Sequence, residues 1–222
     1  DFCLSRGLGD VYKRQVHGLN QTASFSVVTE FSPEKWRIAL NGVLPDDLVV
    51  KHVQQVPSDF HARHSSVGKR YRYLVCNLPY RSPFSRNKSW WVRKSLNLEA
   101  IREASSYLIG KHDFSAFRAA ACSSPNPNKD LREILCDMKP WLHANLCFEL
   151  EADSFLQHMV RIMVGTLVHV GTGKLKPEQM KRILESRDRT QAGLTAPAHG
   201  LYALAVRYPE NTIEWPDELM DS

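Results

Sequence analysis

The chain has 222 residues, 43% of them hydrophobic and 24% charged, an ordinary balance for a globular protein with a real core of one large or two small domains. No apolar run approaches the length of a membrane span and no secretory signal is visible, so the expected location is the cytoplasm, with no membrane partner. A net charge of +5 is compatible with a polyanionic partner without requiring one.

Residues 1–15, DFCLSRGLGDVYKRQ, show no clear period and read as an unrelated leader or a sequence-assembly artefact. Residues 22–29 are rich in β-formers and predict a strand. Ser32-Pro33-Glu34 opens a helix, with a capping serine, proline in the first turn and an acid near the positive end; Asn41-Gly42 closes it. Residues 48–56 predict a second strand. Residues 69–76 alternate Tyr71, Tyr73 and Val75 with Arg70, Arg72 and Leu74, which gives a strand with one aromatic and one partly cationic face. Cations interleaved with rings suit RNA, but an amphipathic strand with core tyrosines and a solvated face fits the same pattern.

Residues 79–86 form a turn-rich connection and 89–92 a short strand. A helix follows from about Asn97 to Ile109, with Leu98, Ile101, Ala104 and Leu108 inward. Residues 112–118 are compact and aromatic, and Phe114 and Phe117 are expected to pack in the core. The polar, proline-broken stretch 122–130 predicts a loop. Strands are expected over 132–139 and 145–152, a shorter helix over 177–185, a last strand over 200–206 and an acidic tail beyond 209. Antiparallel pairs mixed with packed helices make an α+β plan.

The most apolar helix is expected from Ser154, which with Gln157 forms a capping-box pattern, and it is stopped by Gly171 and Gly173. Its wheel is apolar almost all round, so the helix is buried. Within it, Arg161 meets no acid at the i±3 or i±4 positions. A buried guanidinium needs an anion from elsewhere in the fold or from a ligand; the alternative is an arginine at the helix edge reaching water. Cys3, Cys76, Cys122, Cys136 and Cys147 show no CxxC spacing, and the HxxH of His61 and His64 has no further ligand nearby. No metal and no disulfide frame are expected.

VHGLNQTASF at 16–25, DFHARHSSVGKRYRYLV at 59–75, HDFSAFR at 112–118, SFLQHMVRIMVG at 154–165 and GLYALAV at 200–206 together resemble the tRNA pseudouridine synthase A family. The resemblance covers about residues 16–209. It implies the pseudouridine synthase fold, an antiparallel sheet flanked by helices in two similar lobes about a central cleft. Residues 16–95 would be the remainder of the N-terminal lobe, 96–209 the C-terminal lobe and 210–222 the acidic tail. It also implies a homodimer without cofactor that isomerises uridines at positions 38 to 40 of the tRNA anticodon stem-loop. The target uridine would leave its stack to reach the enzyme.

The resemblance implies roles for single residues. Tyr71 would lie against the uracil, its hydroxyl able to take part in removing the C5 proton. Arg161 would pair with the catalytic aspartate. His17 would sit near the bound nucleotide, with Arg63 also on the substrate. Lys69, Arg70 and Arg72 would meet RNA phosphates.

One departure matters. The family motif is Arg-Thr-Asp-x-Gly-Val-His. Counting back from Val16 and His17 places Gln15 at the glycine, Lys13 at the nucleophilic aspartate and Val11 at the arginine. Asp10, the nearest acid, is three residues out of register, too far to be assumed equivalent when reacting groups must approach to ~3–3.5 Å. The expectation is that residues 1–15 stand in place of a genuine N-terminal segment, and that this polypeptide is inactive as written. A tRNA-binding protein without catalysis is the alternative.

Overall fold

The structure, a computed structural model, describes residues 15–140, 144–210 and 212–213. The chain divides into two compact units. The first holds residues up to Gln21 together with Gly68–Val206, and the second holds Thr22–Val67 with the segment from Arg207.

The first unit is built on a seven-stranded sheet. Its strands are β1 (His17–Gly18), β2 (Gly68–Cys76), β3 (Trp90–Trp91), β4 (Gly110–Asp113), β5 (Asn128–Asp137), β6 (Leu146–Ala152) and β7 (Leu201–Arg207). The order is β1-β7-β2-β6-β5-β4, with β3 paired to β2 beside this path. The long ladders β2·β6, β5·β6 and β4·β5 are antiparallel, as expected. The short pairings of β1 with β7 and of β3 with β2 are parallel, so the sheet is mixed. β4 and the early start of β5 correct the sequence reading. Residues 110–113 pair with 128–131, so the expected loop narrows to about residues 122–127. The polar Lys129 and Asp130 hid that pairing, because they belong to the open end of the sheet.

Among its described residues this unit has three α-helices: α2 (Leu98–Ser106), α3 (Met159–Gly171) and α4 (Gln179–Ser186). Asn97 caps α2 by accepting from the amide of Ala100 at 3.1 Å. Helix α3 is the centre of the core. Of its 13 residues all but His169 are buried, and its apolar side chains pack with Tyr73, Val75, Phe148 and Leu150 of the sheet and with Ile101 of α2. Burial of each large apolar side chain contributes ~1.5–3 kcal/mol. Phe114 and Phe117 are fully buried in this core, as the sequence predicts.

The start of α3 differs from the capping-box expectation. The helix opens at Met159, after His158 in the left-handed region at φ 62°, and no side chain caps it. Ser154 turns back on Asp153 instead, and the amide of Gln157 donates to the sulfur of Cys122 at 3.4 Å. Tertiary contacts thus take the donors that a local cap would have served.

The second unit contains α1 (Pro33–Asn41), capped as predicted, with Ser32 accepting from the amide of Lys35. The strands expected over 22–29 and 48–56 form no ladder among the described residues. A β-rich run becomes a strand only when a neighbour supplies the ladder. Here the side chain of Asn41 stands in for one, exchanging two hydrogen bonds with the backbone of Val50. Phe25, Val28, Phe31, Ile38 and Val43 stay exposed in this unit.

Candidate active site

Strand alternation and a buried helix bring the site together. Tyr71 and Tyr73 leave β2 on the face that packs against α3. Tyr71 stands edge-on to Phe155 at 5.1 Å. Its hydroxyl meets no partner among the described residues, and burial raises its pKa, so it is a neutral phenol at pH 7. Tyr73 is fully buried and donates to the carbonyl of Pro197 at 2.7 Å.

Arg161 lies in the first turn of α3 and is only 8% exposed. The helix-edge alternative is therefore excluded. Nε donates to the carbonyl of Ala196 at 2.6 Å, while the amide of Ala196 donates to the carbonyl of Arg161 at 3.1 Å. Nε and the backbone are thus held. No carboxylate pairs with this guanidinium among the described residues. Burial lowers its pKa and the nearby Tyr73 acts the other way, but a guanidinium remains charged at any physiological pH.

The loop that supplies these carbonyls is pressed onto α3. A Cβ at Gly165 would fall 1.9 Å from the carbonyl oxygen of Leu194, so only glycine lets the two backbones approach this closely. Thr166 accepts from the amide of Gly193 at 2.9 Å and locks the contact. The carbonyls of Ala196 and Pro197 are the site elements the sequence reading missed. Backbone groups leave no residue-type signal, and only the glycine at 193 and the proline at 197 mark the segment.

His17 joins the same region through β1. Its ring stacks on Tyr202 with centroids 4.4 Å apart. Its Nε2 lies 3.1 Å from the carbonyl oxygens of both Asn87 and His199. Burial lowers the pKa of His199, a hydrogen bond with Ser89 opposes this, and electrostatic interactions with Arg161 and the neighbouring His17 ring lower it further.

Two of the residues expected to meet phosphates lie away from Tyr71 and Arg161. Arg70 and Arg72 point to the opposite face of β2, where both bind Glu149 of β6, at 2.7 and 3.0 Å. Arg70 also lies near Glu133 and Glu151. Their guanidinium groups are therefore engaged with carboxylates of the protein. Burial would raise the Glu149 pKa, but hydrogen bonds and charge from the two arginines outweigh it and hold the carboxyl below its usual range. Lys69 is the second residue of the same strand, half-buried. Arg63 is exposed in the second unit. Lys13 and Asp10 lie outside the described residues.

His61 and His64 are exposed with rings 4.4 Å apart. Among the described residues no group of three His, Cys, Asp or Glu side chains could hold a metal ion, and no helix is long and apolar enough to cross a membrane.

A family profile described as tRNA pseudouridine synthase matches residues 104–209. Several proteins named tRNA pseudouridine synthase A are similar over most of the chain. That of Thermoanaerobacter sp. (strain X514) is 44% identical over 193 residues, 87% of this chain and 78% of the relative. Those of Acetivibrio thermocellus and Variovorax paradoxus are 42% and 40% identical, each over 87% of this chain and over 78% and 72% of the relative.

Proposed function

The chain belongs to the tRNA pseudouridine synthase A family, and on that premise we propose that the site around Arg161 isomerises uridine in the anticodon stem-loop of tRNA to pseudouridine. The supporting observation is Arg161 itself: a buried cation, fixed through Nε by the Ala196 carbonyl, with terminal nitrogens that have no carboxylate among the described residues. Such a group selects an anion. The aspartate of the family motif fits that need, and an arginine partner would keep it ionised.

The reaction exchanges one bond for another. The N1–C1′ bond breaks, the uracil turns, C5 bonds to C1′, and the C5 proton leaves while N1 gains one. Tyr71, whose hydroxyl meets no partner among the described residues and whose phenol is kept neutral by burial, can orient the ring by hydrogen bonding, and it would pass that proton on only by releasing its own phenolic proton as it accepts. His17 and Arg63 would contribute to substrate binding and Lys69 to phosphate contact. The proposed working form is a homodimer in the cytoplasm, without cofactor.

Lys13 at the aspartate position favours a second reading for the polypeptide as written: tRNA binding without isomerisation. Tritium release from tRNA labelled at uridine C5 separates the two. The chain as written is expected to give none, while the combined substitutions Val11→Arg, Lys13→Asp and Gln15→Gly are expected to give turnover that Arg161→Ala abolishes. Turnover with Lys13 in place would overturn the assignment of the missing carboxylate; Asp10→Ala would then test whether Asp10 serves instead.

A further inference from the structure

Between Asp59 and Glu99 the chain contains no acidic residue, yet it holds nine lysines and arginines: Arg63, Lys69, Arg70, Arg72, Arg81, Arg86, Lys88, Arg93 and Lys94. Arg70 and Arg72 of β2 face the glutamates of the neighbouring strand. The last five lie on the connection that runs from β2 through β3 toward α2. All five are exposed, and none is paired with a carboxylate among the described residues. A stretch that needed only solubility would mix both signs of charge.

Two aromatic rings stand among these cations. Tyr80 is 67% and Phe84 70% exposed. The guanidinium of Arg81 lies over the Trp91 ring at 4.6 Å. Cations track phosphates and exposed rings stack on bases, so this combination is the chemistry of a surface for single-stranded RNA.

The backbone beneath is fixed. The Asn77 amide group donates to the carbonyls of Val92 and Lys94, both at 2.7 Å, and the Trp91 indole donates to the carbonyl of Leu78 at 3.0 Å. The turn at 83–85 is held by amides of Lys88 and Ser89 donating to the carbonyl of Ser85. The same segment reaches the candidate site through its backbone. The carbonyl of Asn87 meets Nε2 of His17, and the hydroxyl of Tyr202 donates to the carbonyl of Lys88 at 2.7 Å. Charged ends are free while their base is rigid, which lowers the ordering cost of binding.

We propose that residues 80–94 form an RNA-binding surface beside the candidate site, with Arg86, Lys88, Arg93 and Lys94 on tRNA phosphates and Phe84 and Tyr80 stacked on unpaired bases. The proposal rests on the tRNA reading above for the identity of the RNA. It places the principal phosphate contacts here rather than on Arg70 and Arg72.

Filter binding of tRNA over a salt series tests it, using the unaltered chain, the pair Arg86→Glu and Lys88→Glu, and Phe84→Ala, each checked for a native thermal melt. At about 0.1 M salt the double variant is expected to bind at least ~10-fold more weakly, with a salt slope lower by about two. Phe84→Ala is expected to lose ~5-fold or more in affinity with the slope unchanged. Polyglutamate, a polyanion without bases, is expected to compete poorly. Variants that bind like the unaltered chain with the same slope overturn the proposal. Competition by polyglutamate equal to that of single-stranded RNA, with Phe84→Ala silent, overturns the RNA assignment in favour of an acidic protein partner. Failure of the unaltered chain to bind tRNA sinks both readings. Binding without isomerisation, when the motif has been restored, sinks only the catalytic one.

Discussion

The segments 69–76 and 81–94 have nearly the same composition, cations among aromatic rings, and opposite fates. In β2 the pairing with β6 places Arg72 opposite Glu149 and Arg70 opposite Glu151, so the charges are neutralised inside the protein while the rings turn to the core. In 81–94 no acidic strand lies alongside among the described residues, so the cations stay in water and Phe84 stands exposed. A basic-aromatic run therefore becomes a nucleic-acid surface according to what its neighbour strand brings, not according to its own sequence.

Glu149→Ala is the largest break in this contrast. Removing a 5%-exposed carboxylate that holds two partly buried guanidinium groups is expected to destabilise by about 3 kcal/mol, read as a lower urea midpoint. It should also raise non-specific RNA affinity by freeing two cations. Unchanged stability would mean the network does not hold the strands. Next in size, Arg72→Ala should cost about 1–2 kcal/mol of stability and leave the tRNA salt slope as it was. A slope reduced by one would restore Arg72 as a phosphate contact. Lys94→Ala is the mirror case, with stability within about 0.5 kcal/mol of wild type and the salt slope lower by about one. The smallest effect is acid dependence. The folded pKa of Glu149 is depressed, so its contribution is fully present above the ordinary carboxylate range and is lost as pH falls through the folded value. A melt series from pH 6 down to ~3 should show this loss, and Glu149→Gln should flatten it.

Period and residue type made much of this legible in the sequence. The alternation of 69–76 gives the two faces of β2, and the apolar wheel with Arg161 inside gives a buried helix with a misplaced charge. Ser32-Pro33-Glu34 gives the start of α1. What the sequence withheld depends on distant chain. Glu149 lies 79 residues from Arg70, and no local pattern reports that they meet. The capping box at Ser154 is a sound local signal overruled by Cys122, 35 residues away. The strands expected at 22–29 and 48–56 have the right residues and no ladder among the described residues, because propensity does not supply a partner. The carbonyls of Ala196 and Pro197 could not be read at all, since every residue carries one.

The two contacts of His17 Nε2 carry a consequence for the ring itself. Both partners, the carbonyls of Asn87 and His199, can only accept, so the proton must sit on Nε2. Any neutral form of the ring is then fixed in one tautomer, with Nδ1 as its single remaining lone pair. Nitrogen-15 shifts of His17 should report a pyrrole-like Nε2 and a pyridine-like Nδ1, where a free histidine averages the two. Whatever meets the His17 ring from the site side meets it at Nδ1, and Asn87, at φ 61°, is the residue whose turned backbone sets this orientation.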